Sequence, residues 1–417
     1  MVLLRRSLAL VLAAPALALP HFAAAQQPTP ARVLVIVHAN LIDGARGAFA
    51  TDASIVVRDG KIAEIATASF TPPPGAEVID ARGRWVLPGL IDVHTHVSSL
   101  ASARRALESG VTTIRSASVA YFQDVALREA VKSGAVAGPD VVATGVFVSP
   151  ELGESVLGDA RLARFRGGVT SEEALREVVR INLDRGVDFI KTRGTERAGL
   201  PNTDPRKQSY TETQLRWVVD EAAKRNVPVM AHAHGDEGAF AAVRAGVRSI
   251  EHGTFLSDST LRLMKEKGTY LVPTYITVVD LTEPGGDYDD PILTVRGKFM
   301  LPVLGETVRR AHRMGIPIAT GADTDYGAPS LSRVWGEAGH LVALGLTPLE
   351  AIRSATTVSA SLLGLGERTG ALRVGYDADL IVVESNPLQD IRALADVLVV
   401  VSNGHVALNR TPFGKLP

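Results

Sequence analysis

The sequence predicts an α/β protein: a (β/α)8 TIM barrel with a small β-sandwich domain built from both chain ends. Three observations support this. Short apolar runs alternate with amphipathic helical stretches through the middle of the chain, and both ends carry short strand-like runs cut by turn residues. Histidines and an aspartate recur where the central apolar runs stop.

The chain of 417 residues is long enough for one large core plus an accessory domain. A net charge of −1 gives no basic excess for nucleic acid. With no cysteine, disulfides, thiolate metal sites and a cysteine nucleophile are excluded, so any metal must be held by nitrogen and oxygen.

The first residues read as a secretory leader spanning 1–25. Arg5 and Arg6 precede an apolar stretch at 8–19, and Ala23-Ala24-Ala25 forms a small-residue cleavage site before Gln26. Pro15 and Pro20 leave that stretch too short to span a bilayer comfortably. Export to a bacterial periplasm is expected, with no membrane span after leader removal.

Residues 26–87 form the first part of the β-sandwich. Strand-like runs at 33–37, 54–57, 61–65 and 77–79 are separated by Asp59-Gly60 and Pro72-Pro73-Pro74-Gly75. Residues 369–417 supply the second part, with runs at 380–383 and 397–401 and the hairpin signal Asn403-Gly404.

Between them, residues 88–368 carry strand candidates at 90–96, 111–116, 140–144, 188–192, 227–232, 249–252, 270–275 and 317–320. Helices are expected at 171–184, 211–225, 236–245 and 331–344, with Gly110, Gly186, Gly246, Gly268, Gly315 and Gly345 at helix ends. Periodicity alone also allows a doubly wound open sheet. The barrel is favoured because polar candidates on the first, fourth, fifth, sixth and eighth strands would converge on one mouth.

Pro88-Gly89-Leu90-Ile91-Asp92-Val93-His94-Thr95-His96 ends in two histidines one residue apart, which in an extended strand share a face and can chelate a divalent metal. Val229-Met230-Ala231-His232-Ala233-His234 repeats the device; Ser249-Ile250-Glu251-His252 adds a histidine, and Gly321-Ala322-Asp323 a carboxylate. Each alone also fits a hydrogen-bonded surface histidine or a helix-capping aspartate. Their repetition at strand ends favours a metal site. Lys191 ends an alternating run and, if buried, could lose its proton and take up carbon dioxide as a carbamate able to bridge two metals.

These motifs, with Gly110-Val111-Thr112-Thr113, Phe189-Ile190-Lys191, Gly345-Leu346-Thr347-Pro348 and Gly375-Tyr376-Asp377-Ala378-Asp379-Leu380, resemble the amidohydrolase superfamily. The chain is most similar to the branch of imidazolonepropionase-like proteins, prolidase-like Xaa-Pro and Xaa-Arg dipeptidases and ochratoxin-hydrolysing amidases. The resemblance implies two divalent ions, zinc being expected. His94, His96 and Asp323 would hold one, His232 and His252 the other, with carbon dioxide fixed as a carbamate on Lys191 between them. It further implies that His234 faces the substrate, that Asp323 moves the catalytic proton, and that Tyr275 steadies the oxyanion. The implied reaction is cleavage of an amide or peptide bond in a dipeptide or N-acyl amino acid, including ochratoxin-like amides, by hydroxide generated at the metals.

Two departures concern substrate rather than metals. Thr144-Gly145-Val146-Phe147 stands where many relatives carry Gly-Gly-His, and Ser116 where an aspartate is common. One rival is a mononuclear cyclic-amide hydrolase or deaminase using His234-Gly235-Asp236-Glu237 as a His-x-x-Glu pair, which leaves open which of His232 and His234 is the ligand. The other is a non-catalytic binding protein on the same scaffold. The expected partner is a small-molecule substrate, and assembly as a homo-oligomer is expected.

Overall fold

Val33 opens a hairpin of two long strands, β1 (Val33–Asp43) and β2 (Gly47–Arg58), followed by β3 (Lys61–Ala66), β4 (Glu77–Asp80) and β5 (Trp85–Pro88). The structure is a computed structural model and describes residues 33–67 and 70–411. The expected leader at 1–25 lies outside the described residues.

Seven parallel strands come next: β6 (Leu90–Thr95), β7 (Val111–Ser116), β8 (Asp140–Val142), β9 (Ile190–Arg193), β10 (Val229–Ala233), β11 (Ser249–His252) and β12 (Tyr270–Val272). The chain ends with β13 (Leu380–Val383), β14 (Val397–Ser402) and β15 (His405–Asn409).

The two chain ends share one hydrogen-bonded sheet in the order β15-β14-β13-β5-β1-β2-β3, with β4 added beside β1. The joint is antiparallel pairing of Leu380 with Pro88 through Val383 with Trp85. Leu34, Ile36, Ile55, Val86, Leu380 and Val399 from both ends meet in one buried cluster. The β14–β15 turn is Asn403-Gly404 with φ of 48° and 76°. Left-handed φ at both central residues matches the right-handed twist of the flanking strands, and this dipeptide tolerates it.

The open-sheet alternative is excluded by ring closure. β6-β7-β8 joins β9-β10-β11-β12 through the bridge Val148–Thr192 and the bond from Val148 N–H to the Lys191 carbonyl (2.9 Å). The expected eighth strand at 317–320 is corrected: no regular strand forms there. The segment bridges Leu271 through Ile318 and Thr95 through Thr324, and Val93 N–H donates to the Thr320 carbonyl at 3.0 Å. Pro317 supplies no donor, and the chain turns at Asp323 (φ 47°), so the ladder is too short to propagate.

The helices follow their start and stop signals. Ser171 caps Glu172–Asp184, and Thr211 with Gln214 forms a reciprocal capping box on Glu212–Ala223. Asp236–Ala245 ends at Gly246 in the left-handed conformation. The last expected helix begins later, at Val334, because Arg333 is extended (φ −145°). Ile190, Ala231, Ile250 and Leu271 pack outward against helix residues such as Leu215, Ala242 and Leu261. Phe189, Met230, Val272 and Val93 fill the barrel interior. Among the described residues no helix is long and apolar enough to cross a membrane.

Candidate metal centre and active site

Strand alternation stacks the site in layers. Just before β9, Phe189 lies in the barrel interior, and Lys191 and then Arg193 follow on the same face toward the mouth. β10 does the same with Met230 and His232, followed by His234 just past its end, while Val229, Ala231 and Ala233 pack outward. His94, His96, Lys191, His232, His234, His252 and Asp323 all line one cavity of about 780 Å³.

Each imidazole has one nitrogen engaged by the protein. His94 Nδ1 meets Glu251 Oε2 at 2.7 Å, His96 Nδ1 donates to the Ser118 carbonyl at 2.7 Å, and His232 Nε2 donates to the Glu196 carbonyl at 3.1 Å. His234 Nδ1 meets Thr254 Oγ1 at 2.8 Å, and His252 Nδ1 meets Thr274 Oγ1 at 2.7 Å. The second nitrogens of His94 and His96 turn to Asp323, and those of His232, His234 and His252 have no partner among the described residues. A nitrogen held in this way on one side and directed at a shared point on the other is the arrangement found around metal-ligating histidines. Asp323 Oδ1 lies 3.0 Å from His96 Nε2 and 3.3 Å from His94 Nε2. Ligand atoms of His94, His252 and Asp323 lie within 4.8 Å of one another, as do those of His232, His234 and His252.

The backbone bends where these groups converge. Ser118, His252, Thr274 and Asp323 have φ of 89°, 74°, 46° and 47°. Residues with a β-carbon rarely adopt that region, and such strain persists where surrounding structure enforces it.

Burial sets the charge states. It pushes His232 and His252 well below the ordinary histidine range, with neighbouring imidazoles adding to the effect, and takes His234 to about 3. For Asp323, burial favours the acid, but His94 charge and hydrogen bonds from His94 and His96 outweigh it and hold the carboxyl well below its usual value. Burial lowers Lys191 to about 8, opposed in part by Glu251 and Asp323. Its Nζ has no hydrogen-bond partner among the described residues and sits 5.7 Å from the Phe147 ring centre.

Divalent metal fits this donor set. The set offers several imidazoles, an ionised carboxylate and an orphaned, buried amine, a nitrogen- and oxygen-rich array suited to zinc and similar ions.

Two expectations are corrected. Tyr275 does not line the cavity; the left-handed turn at Thr274 starts a helix there, and the Tyr275 ring packs against His340 at 5.4 Å. Thr274 lines the cavity in its place, so an oxyanion role for Tyr275 has no geometric basis. Glu237, the acid of the His-x-x-Glu spacing, is exposed on a helix and also lies off the cavity.

Sequence reasoning missed Glu251 and Arg115. Arg115 Nη2 donates to both carboxylate oxygens of Glu251 at 2.9 and 3.1 Å, and its Nε donates to the Val93 carbonyl at 2.7 Å. Ser249 Oγ donates to Glu251 Oε1 at 2.5 Å. The only signal was a charged residue inside each of two apolar strands, Ile114-Arg115 and Ile250-Glu251.

The amidohydrolase family profile matches residues 85–407. Ochratoxinase from Aspergillus niger is 29% identical over 413 residues, covering 87% of this chain and 84% of that one. Imidazolonepropionase from Colwellia psychrerythraea is 26% identical over 396 residues, covering 82% and 86%. A crystal structure of a Xaa-Pro dipeptidase with bound methionine in the active site superposes with a TM-score of 0.80 at 29% identity, covering 90% of this chain and 99% of that one.

Proposed function

Since the chain belongs to the amidohydrolase family and is a hydrolase of carbon–nitrogen bonds, we propose that it is a binuclear enzyme. Its substrate is the amide bond of a dipeptide or N-acyl amino acid. The observation that carries the binuclear reading is Lys191: a buried amine without a partner in the same cavity as the histidines and Asp323. The exposed position of Glu237 speaks against the mononuclear His-x-x-Glu reading.

His94, His96 and Asp323 would hold one ion, His232 and His252 the other, and carbamylated Lys191 would serve both. Bound there, divalent ions supply Lewis acidity and bring the pKa of water to about 7. Asp323, held ionised, accepts the proton of the attacking water and passes it to the leaving nitrogen. His234 is buried and neutral; with Nδ1 accepting from the Thr254 hydroxyl, its Nε2–H donates to the substrate carbonyl as it becomes an oxyanion. The leader at 1–25 supports export, which N-terminal sequencing of the mature protein at Gln26 would test.

The decisive experiment measures metal content and hydrolysis together. Wild type should bind two zinc ions per chain, show a carbamate resonance with ¹³C-bicarbonate, and hydrolyse members of a dipeptide and N-acyl amino acid panel. Lys191→Ala should lose the resonance and at least one ion, and Asp323→Asn should lose hydrolysis. Full activity in both variants would overturn the proposal.

A further inference from the structure

Arg193 is not used by the metal centre. It stands one pleat above Lys191, lines the same cavity, and its guanidinium lies 4.9 Å from the centre of the Phe147 ring. One corner is engaged: Nη1 donates to Glu151 Oε2 at 3.2 Å, and that carboxylate side chain is 76% exposed. The opposite edge is free. Nε is buried and has no hydrogen-bond partner among the described residues, although the Arg193 side chain is only 12% exposed. A buried donor left unpaired is costly, and the Nε–Nη2 edge of a guanidinium matches the two oxygens of a carboxylate.

Arg197 lines the cavity from the next loop and has no ion-pair partner among the described residues. That loop is tied down from outside. Arg296 donates to the carbonyls of Ala198, Leu200, Pro201 and Thr203 at 2.5, 2.7, 3.1 and 2.6 Å. Lys207, also at the wall, is already paired with Glu196 at 2.7 Å. Above the metal layer the wall therefore carries Arg193, Arg197 and Lys207 against Glu151 and Glu196, a surplus of one positive charge on an anchored surface.

We propose that Arg193, assisted by Arg197, is a specificity-determining anion site. It reads a free carboxylate on the substrate through its guanidinium, while the scissile carbonyl lies one layer deeper. The inference rests on the hydrolase reading only for where that bond sits. An exposed lysine pair could attract any anion; the flat, half-engaged fork over Phe147 selects a planar one.

The test compares N-acetyl-L-phenylalanine and glycyl-L-phenylalanine with their C-terminal amides, on metal-loaded wild type, Arg193→Gln, Arg193→Lys and Arg197→Gln. The readout is the ratio of kcat/KM for free acid over amide. It should favour the acid in wild type and fall about 10- to 100-fold in Arg193→Gln, with smaller falls in the other two variants. Should Arg193→Gln fail to fold by circular dichroism, Arg193→Lys and Arg197→Gln carry the comparison. A wild-type ratio near one, or a ratio unchanged by all three substitutions, overturns the anion site and leaves the hydrolase reading standing. If wild type cleaves none of the four compounds, the hydrolase reading fails on this set, and calorimetric titration with the same acids and amides decides the anion site. An acid preference lost in Arg193→Gln then supports it, and no acid preference overturns it.

Discussion

Glu251 Oε2 lies 2.7 Å from His94 Nδ1, and both side chains are buried. Arg115 clasps the same carboxylate from the other side, so the acid stays ionised despite burial, which alone would favour its neutral form. The pair fixes the His94 ring with Nε2 toward Asp323. Glu251→Gln keeps the shape and removes the charge, and should weaken divalent-metal retention about 10- to 100-fold in chelator competition. Glu251→Ala would also strand a buried Arg115 and cost about 3–5 kcal/mol of stability, read by denaturant unfolding.

The two roles proposed for Asp323, holding metal and moving a proton, separate kinetically. Asp323→Asn should lower kcat by about 10²- to 10⁴-fold with a smaller change in KM. Its carboxyl is held ionised by His94 and His96, and the amide cannot accept the proton. Steady-state kinetics at matched metal content checks this; a loss confined to KM would contradict it.

Glu337 offers a pH signature away from the candidate metal centre. Its buried carboxylate oxygens accept the backbone N–H groups of Tyr275 and Ile276 at 3.0 and 2.8 Å, yet burial dominates and lifts the acid from 4.5 to about 8. A carboxyl raised on folding binds its proton more tightly in the native state. Its stabilising contribution is therefore complete below about pH 4.5 and fades as pH climbs toward 8. Glu337→Gln should flatten the fall of stability across that window, an effect on the order of a few kcal/mol read as a flatter Tm profile. A Tm profile parallel to wild type would contradict the assignment.

Arg296 anchors the 198–203 loop through four backbone carbonyls. Arg296→Leu should speed amide hydrogen exchange in that loop and raise KM more than it lowers kcat, because the cavity wall carrying Arg197 loses its tether. Global Tm should shift by only a few degrees, since Ala198 alone of that loop belongs to the main core.

Much of the candidate metal site was legible because its signals are local. Two histidines two positions apart at the end of an apolar run share a face whatever the rest of the chain does, and His94 and His96 both reach Asp323. Tyr275 failed for the converse reason. The expected seventh strand stops at Val272, and one left-handed residue at Thr274 turns the next side chain out of the cavity. The eighth strand was misjudged because an apolar run beginning at Pro317 has strand composition but forms only isolated bridges.

Taken alone, the sequence determined the alternation of strands and helices, the caps and turns, and the residue types at strand ends. Those depend on neighbours within a few positions and on repeats of 2 and 3.6 residues. The tertiary structure decided ring closure, the partner of each imidazole and the orphaned donors of Lys191 and Arg193. Glu251 is 157 residues from His94 and 136 from Arg115, and no local pattern relates such groups. They meet because closing the barrel buries them together, where an unpaired charge would be too costly to keep.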